Sequence, residues 1–270
     1  MTEQRSGLEQ EEIYRIAADD EASQREHERL RALARWRDPF TIDALRATGV
    51  GAGWRCLEIG AGAGTISDWL GEQVGDGGSV LSTDDDLRFH AEPRPNVEVR
   101  HHDITSDALP DDEFDLVHVR AVLQHIAERE QVLDRLIGAL KPGGWLITEE
   151  GDFRAFEAQP LPEPLGSLHR LVCAASAQQA YRETNFGTRL LHLLQERGLR
   201  DLTGVGHADT MRAREDSAEW WFLAIEHVRD MVVDAGAFDA SDFDAALEQA
   251  RTPGFVMLAP LSIQVRGRKP

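Results

Sequence analysis

From residue 54 onward, short apolar runs alternate with stretches of helical spacing, and that rhythm sets the fold expectation. WRCLEIG (54 to 60), SVLSTD (79 to 84), VEVRHHD (97 to 103), FDLVHVR (114 to 120) and GWLITEE (144 to 150) are brief and rich in Val, Leu and Ile, as strands are. Between them, TISDWLGEQV and REQVLDRLIGAL place apolar residues on one helical face, DDLRFHAEP is poorly helical, and TSDALPDD is short. GDGG and KPGG fall where connections belong. Such alternation predicts an α/β fold, a doubly wound and mainly parallel sheet with helices on both faces. RDLTGVGHAD and FVMLAPLSIQVRGR supply two later strands, for seven in all.

The flanks read differently. Residues 8 to 36 carry a loose apolar stripe, Pro39 is expected to break it, and DPFTIDALRATGV is expected to restart as a helix capped near Asp38 or Thr41 and stopped at Gly49. Beyond residue 150 a proline-rich connection leads to an alanine-rich helix at about 165 to 181. TRLLHLLQERGL is a second helix with its stop at Gly198, and SAEWWFLAIEHVRDMVVDAG and SDFDAALEQA are further helical text. This is more material than a bare sheet needs. The expected division is N-terminal helices over 1–45, a ligand-binding core over 46–151, a helical cap insertion over 152–185, a core helix and strand over 186–209, a second cap insertion over 210–250 and the last core strand over 251–270.

Composition narrows the partners. The formal net charge of -19, from 29 Lys and Arg against 48 Asp and Glu, repels a phosphate backbone and an anionic bilayer, so neither nucleic acid nor membrane is expected. No apolar run approaches the roughly 20 residues that span a bilayer, and the acidic N-terminus lacks the regions of a signal peptide, so a soluble cytoplasmic monomer or homodimer is expected. Cys56 and Cys173 are far apart and suggest neither a zinc site nor a disulfide.

The chemistry concentrates in CLEIGAGAGTISDWL (56 to 70), where an acid is followed by glycine at Gly60, Gly62 and Gly64. Glycines between strand and helix let backbone approach a ligand, and the helix start offers free N–H groups to an anion. A dinucleotide fingerprint would require glycine at position 65, where Thr65 stands. The pattern is instead ExGxGxG. Together with Asp84 closing the second strand, Asp103 closing the third in HHDI and the turn LKPGGWLI, it resembles the class I S-adenosylmethionine-dependent methyltransferases. The resemblance extends to small-molecule enzymes of the ubiquinone-biosynthesis type and their actinobacterial natural-product relatives, and covers residues 54 to 150.

That resemblance implies a Rossmann-like fold and a site for S-adenosylmethionine, released as S-adenosylhomocysteine after transfer to a small-molecule acceptor. It places Glu58 toward the methionyl ammonium, Gly60, Ala61, Gly62 and Gly64 in the loop, Asp84 and Asp85 at the ribose, and Asp103 and Ile104 at the adenine. Arg120 and His125 would lie near the transferring methyl. The Asp-Pro-Pro-Tyr type of motif used on planar amino groups is absent from VHVRAVLQH, which disfavours methylation of a nucleic-acid base. His101 and His102 alternate across a strand, so one of them can face the cofactor. Candidate proton acceptors are Tyr14, Glu149, His169, Tyr181 and His207, with Asp209 beside the last, and no metal site is expected. EWWFL (219 to 223) is read as core packing or as a wall for a flat, apolar acceptor. A nicotinamide oxidoreductase and a non-catalytic binder of the same cofactor are the competing readings.

Overall fold

The computed structural model describes residues 20–177 and 183–270. The central sheet has seven strands in the order β3-β2-β1-β4-β5-β9-β6. These are β1 (Arg55–Ile59), β2 (Ser79–Asp84), β3 (Val97–His101), β4 (Phe114–Arg120), β5 (Leu140–Asp152), β6 (Arg200–His207) and β9 (Leu261–Arg268). The first five run parallel, whereas β9 is antiparallel to both β5 and β6. The seven-stranded, mainly parallel expectation therefore holds. β1 lies between β2 and β4, the point where successive connections turn in opposite directions, and ligands of doubly wound sheets bind in the crevice at the carboxyl ends of strands there.

Both faces are covered by apolar stripes. On one, Leu45 of α1 (Asp20–Arg46) and Ile66, Leu70 and Val74 of α2 (Thr65–Val74) pack on Cys56, Val80, Leu116 and Ile147. On the other, Leu133 and Leu136 of α3 (Arg129–Ala139) and Leu190, Leu193 and Leu194 of α6 (Leu190–Glu196) pack on Leu57, Ile59, Val117 and Val119. Cys56 is fully buried, and burial pushes its thiol well above the usual range, as expected of an inert packing residue.

Three expectations are corrected. α1 continues through Pro39 rather than breaking there. Proline removes one N–H and crowds the carbonyl four residues back, but the surrounding turn is anchored from outside: Trp36 Nε1 donates to Asp209, Arg37 to the Pro260 carbonyl, and Arg120 to Asp38 and Thr41. Second, the text FVMLAPLSIQVRGR divides at Pro260, which cannot donate to a ladder. Its first part is β8 (Val256–Leu258), which pairs with β7 (Thr210–Arg212) in a separate small sheet. Third, residues 217 to 236 form two helices, α7 (Asp216–His227) and α8 (Arg229–Asp234).

Outside the sheet, α4 (Arg154–Glu157), α5 (Leu165–Ala177), α7, α8, α9 (Ala240–Arg251) and the small sheet share a core of their own. Phe156, Leu168, Trp221, Phe222, Phe243 and Met257 are buried in it, and Trp36 of α1 packs against its edge. Trp221 sits edge-on to Phe156 and parallel to Phe255. No helix among the described residues is long and apolar enough to cross a membrane.

Candidate functional site

The loop leaving β1 is held to its neighbour by backbone. Gly60 and Ala61 N–H groups donate to the Thr83 carbonyl at 2.9 and 3.0 Å, and Gly62 N–H donates to Asp84 Oδ2 at 2.7 Å. Gly60 and Gly64 have φ of 69° and 75°, a region L side chains rarely adopt. A Cβ on Gly60 would collide with Val122, and one on Gly64 would come within 2.5 Å of the His90 ring. Glycine is thus needed twice, for the turn and for the approach of what lies over it. Gly64 caps α2 without any side-chain hydrogen bond, so the first amides of that helix have no side-chain cap. A cavity of about 230 Å³ lies against the same loop, lined by Gly64, Thr65, Asp68, His90 and Pro93 among others. A larger one, about 430 Å³, lies between α7 and α9 at Phe222 and Arg251 and shares no residue with the loop.

Asp84 closes β2 beside this loop. Burial and the adjoining Asp85 raise its carboxyl to about 6, against the opposing pull of the Asp86 and Gly62 N–H donors. Asp103 follows β3 and folds into a local turn, with Thr105 N–H and Oγ1 donating to Oδ1 and Ser106 Oγ to Oδ2; these donors hold its carboxyl below the usual range. Ile104 is buried behind it. His101 is exposed, while His102 is buried and neither of its ring nitrogens has a hydrogen-bond partner among the described residues.

Glu58 does not stand free beneath the glycines. Its Oε2 accepts from Ser67 Oγ of α2, Ser67 contacts Ser82 Oγ at 2.6 Å, and Ser82 meets His90 Nε2 at 2.8 Å. On the other side Glu58 Oε1 lies 3.5 Å from His118 Nδ1, and His118 Nε2 is 3.2 Å from Glu149 Oε1. Ser82, Glu58 and His118 are register partners on adjacent strands, so this is one polar row across an otherwise apolar sheet face. Burial would favour neutral His118, yet the two carboxylates raise it to about 9, and His118 holds Glu149 ionised in turn. The candidate base Glu149 is therefore committed to an internal pair.

Arg120 leaves β4 to reach α1, donating to Thr41 Oγ1 at 2.8 Å and Asp38 Oδ1 at 2.9 Å. The chain then turns sharply at Ala121, whose φ is 55°. Glu150 holds this turn, accepting from the N–H groups of Val122, Leu123 and Gln124. His125 ends that turn with its Nε2 3.1 Å from Gln124 Nε2.

The remaining candidates separate. His207 ends β6 at the same rim, its ring 4.3 Å from that of Phe40 of α1, and its Nε2 is buried without a hydrogen-bond partner among the described residues. Near it, Asp209 accepts from Trp36 Nε1 at 3.0 Å and pairs with Arg37 Nη1 at 3.6 Å. Arg37 lies over the Trp36 ring, and Trp36 meets Trp220 of α7 at 5.6 Å. Of EWWFL, Trp220 meets Trp36 of α1, whereas Trp221 and Phe222 are buried in the appended core. His169 is buried among Phe156 and Trp221, with Nε2 2.8 Å from the Phe156 carbonyl and Cys173 Sγ 3.8 Å away, and burial lowers its pKa. It belongs to the appended core, not the rim. Tyr14 and Tyr181 lie outside the described residues. No three His, Cys, Asp or Glu side chains among the described residues gather as metal ligands.

His118, Ser67 and Glu150 went unnoticed in the sequence. Their one signal is a polar residue on the buried side of an apolar strand or helix, which identifies a site only once register aligns several of them.

Residues 57–148 match the methyltransferase domain family Methyltransf_11. The chain is 31% identical over 174 residues to Methyltransferase str3 of Strobilurus tenacellus, covering 63% of this chain and 61% of that one. It is 29% identical over 139 residues to the ubiquinone/menaquinone biosynthesis C-methyltransferase UbiE of Citrobacter koseri, covering 48% and 52%. It thus spans between about half and three fifths of the length of these curated relatives. Among solved structures, a protein of Bacillus halodurans provisionally assigned as a methyltransferase superposes with a TM-score of 0.55 at 16% identity, over 85% of this chain and 98% of that one. The [4+2]-cyclase SpnF superposes with a TM-score of 0.53 at 18% identity, over 86% and 80%. At these identities the superpositions speak for the fold alone.

Proposed function

We propose that the chain, whose residues 57–148 match a methyltransferase domain family, is a class I S-adenosylmethionine-dependent methyltransferase that transfers a methyl group from this donor to oxygen, nitrogen or carbon of a small, planar or largely apolar metabolite of the natural-product type. The observation that carries the reading is the loop of positive-φ glycines set between an uncapped helix start and the half-buried Asp84 at the topological switch point. The residues fit the donor. Asp84 has two oxygens for vicinal hydroxyls, Gly60 to Gly64 offer backbone without Cβ atoms, and Asp103 with Ile104 would take the adenine edge and face. Asp85 lies beside the ribose position, and Glu58 lies under the amino-acid end.

When bound, S-adenosylmethionine supplies an electrophilic methyl on a sulfonium. The chain's own part is alignment and exclusion of water, worth several kcal/mol when a reacting pair is held in line. Arg120, tied to Asp38 and Thr41, fastens α1 over the strand ends. Trp36, Phe40, Trp220 and His207 form an aromatic lining at that rim and support a flat acceptor. His207 Nε2, a buried nitrogen with no partner among the described residues, is the group best placed to hold or accept a proton from it. A soluble, cytoplasmic monomer or homodimer, with the cap over 152–185 and 210–250, completes the reading.

Calorimetry tests it. S-adenosylhomocysteine should bind the wild-type chain, and Asp84→Ala should weaken binding a hundredfold or more; no binding, or indifference to the change, rejects the proposal. A second reading is a binder of the same donor that does not methylate, since one fold hosts unrelated functions. It is distinguished by transfer of radiolabel from S-adenosylmethionine to extracted metabolites, which it predicts to be nil. A nicotinamide enzyme is opposed by Thr65 at the third glycine position.

A further inference from the structure

The polar row under the glycine loop has an incomplete joint. Glu58 Oε2 is taken by Ser67, but Oε1 and His118 Nδ1 face each other at 3.5 Å, beyond the 2.7–3.2 Å of a good N–H···O bond. His118 Nδ1 has no hydrogen bond among the described residues, although the ring is 1% exposed. Glu58 lies two residues before Gly60, so its unfilled oxygen sits at the foot of the loop.

Charge points the same way. Two carboxylates, Glu58 and Glu149, flank a single imidazolium, and the nearby Arg120 is matched by Asp38. The row therefore carries one unbalanced negative charge in a largely buried place, and buried charge is tolerated when it is paired. One further cation at Glu58 Oε1 balances it.

We propose that His118 is a positioning residue for the amino-acid end of the methyl donor: gripped by Glu149 on one side, it holds Glu58 so that Oε1 receives the donor's ammonium. The inference rests on the methyl-donor reading above. His118 touches no reacting atom; it sets where Glu58 stands. Without the imidazolium, two carboxylates face each other across a buried gap, and one of the pair takes up a proton.

The test uses two ligands that differ only at that end. S-adenosylhomocysteine carries the ammonium, whereas 5′-methylthioadenosine keeps adenine, ribose and thioether but lacks the amino acid. Calorimetry on the full chain should show His118→Gln weakening the first ligand tenfold or more while the second stays within twofold. Ser67→Ala, which frees Glu58 on its other side with little disturbance, should give the same selectivity at smaller size, and it decides alone if His118→Gln does not fold. Equal loss for both ligands, or no loss for either, overturns this inference and leaves the donor reading intact. A wild-type chain that binds neither ligand overturns both.

Discussion

On the β3-β2-β1-β4 side of the sheet the candidate site is made largely of main chain; on the β5-β9-β6 side the rim is closed by side chains arriving from α1 and α7. The first kind of construction depends on a few conformations. The loop amides of Gly60, Ala61 and Gly62 and the bare start of α2 are in place as soon as β1 and β2 pair. The second depends on bulk and stacking, with Trp36 against Trp220 and Phe40 against His207. A backbone site serves one ligand shape and tolerates little change. An aromatic rim can be repacked.

The comparison can be broken at its rigid half first. Gly60→Ala combines an unfavourable φ with a collision at Val122 and should cost about 3 kcal/mol, together with loss of S-adenosylhomocysteine binding, read by denaturant unfolding and calorimetry. A stable variant that still binds would show the loop to be as adaptable as the rim. Next, Trp36→Ala removes a ring, its bond to Asp209 and its contacts with Arg37 and Trp220; it should cost about 2 kcal/mol and change acceptor KM while leaving the cofactor Kd within twofold. A matching loss of cofactor affinity would show the halves to be one unit.

The smallest effect sharpens the rigid half. With the Asp84 carboxyl raised to about 6, cofactor binding should weaken about tenfold for each unit of pH below that value, since a protonated acid cannot accept both ribose hydroxyls. The stability linkage has the opposite sign. A raised carboxyl contributes stability present below its unfolded value of about 3.9 and lost as pH rises through about 6. Asp84→Asn should therefore flatten both slopes over pH 4 to 7, in binding and in thermal unfolding of the free chain.

The same division explains what was legible in the sequence. Strands β1 to β4 could be read because each is a short apolar run bounded by turn residues, β5 only over 144–150 because KPGG, expected as a connection, lies inside the strand, and Gly60, Gly62, Gly64 and Asp84 because their spacing has a steric meaning. α1 was misjudged at Pro39 because the contacts that sustain it come from residues 120, 209 and 260, which no local window contains. The row from Ser82 to Glu149 was invisible for a related reason: Glu58 was noticed as part of a motif, but His118 acquires meaning only from its pairing with Glu58 in the sheet. Trp220 could be separated from Trp221 only once α7 was seen against α1.

One consequence of the strand order concerns the ribosome. β9 lies between β5 and β6, so β6 has no partner until residues 261–268 have been made. During synthesis the β3-β2-β1-β4-β5 portion, glycine loop included, can assemble while β6 still waits for its β9 partner. Pairing of β9 with β6 then ties both ends of the excursion from 208 to 260 together at His207 and Ser262. The glycine loop can thus form before the sheet is complete, and β9 joins at the open edge of β5 with β6 following onto β9.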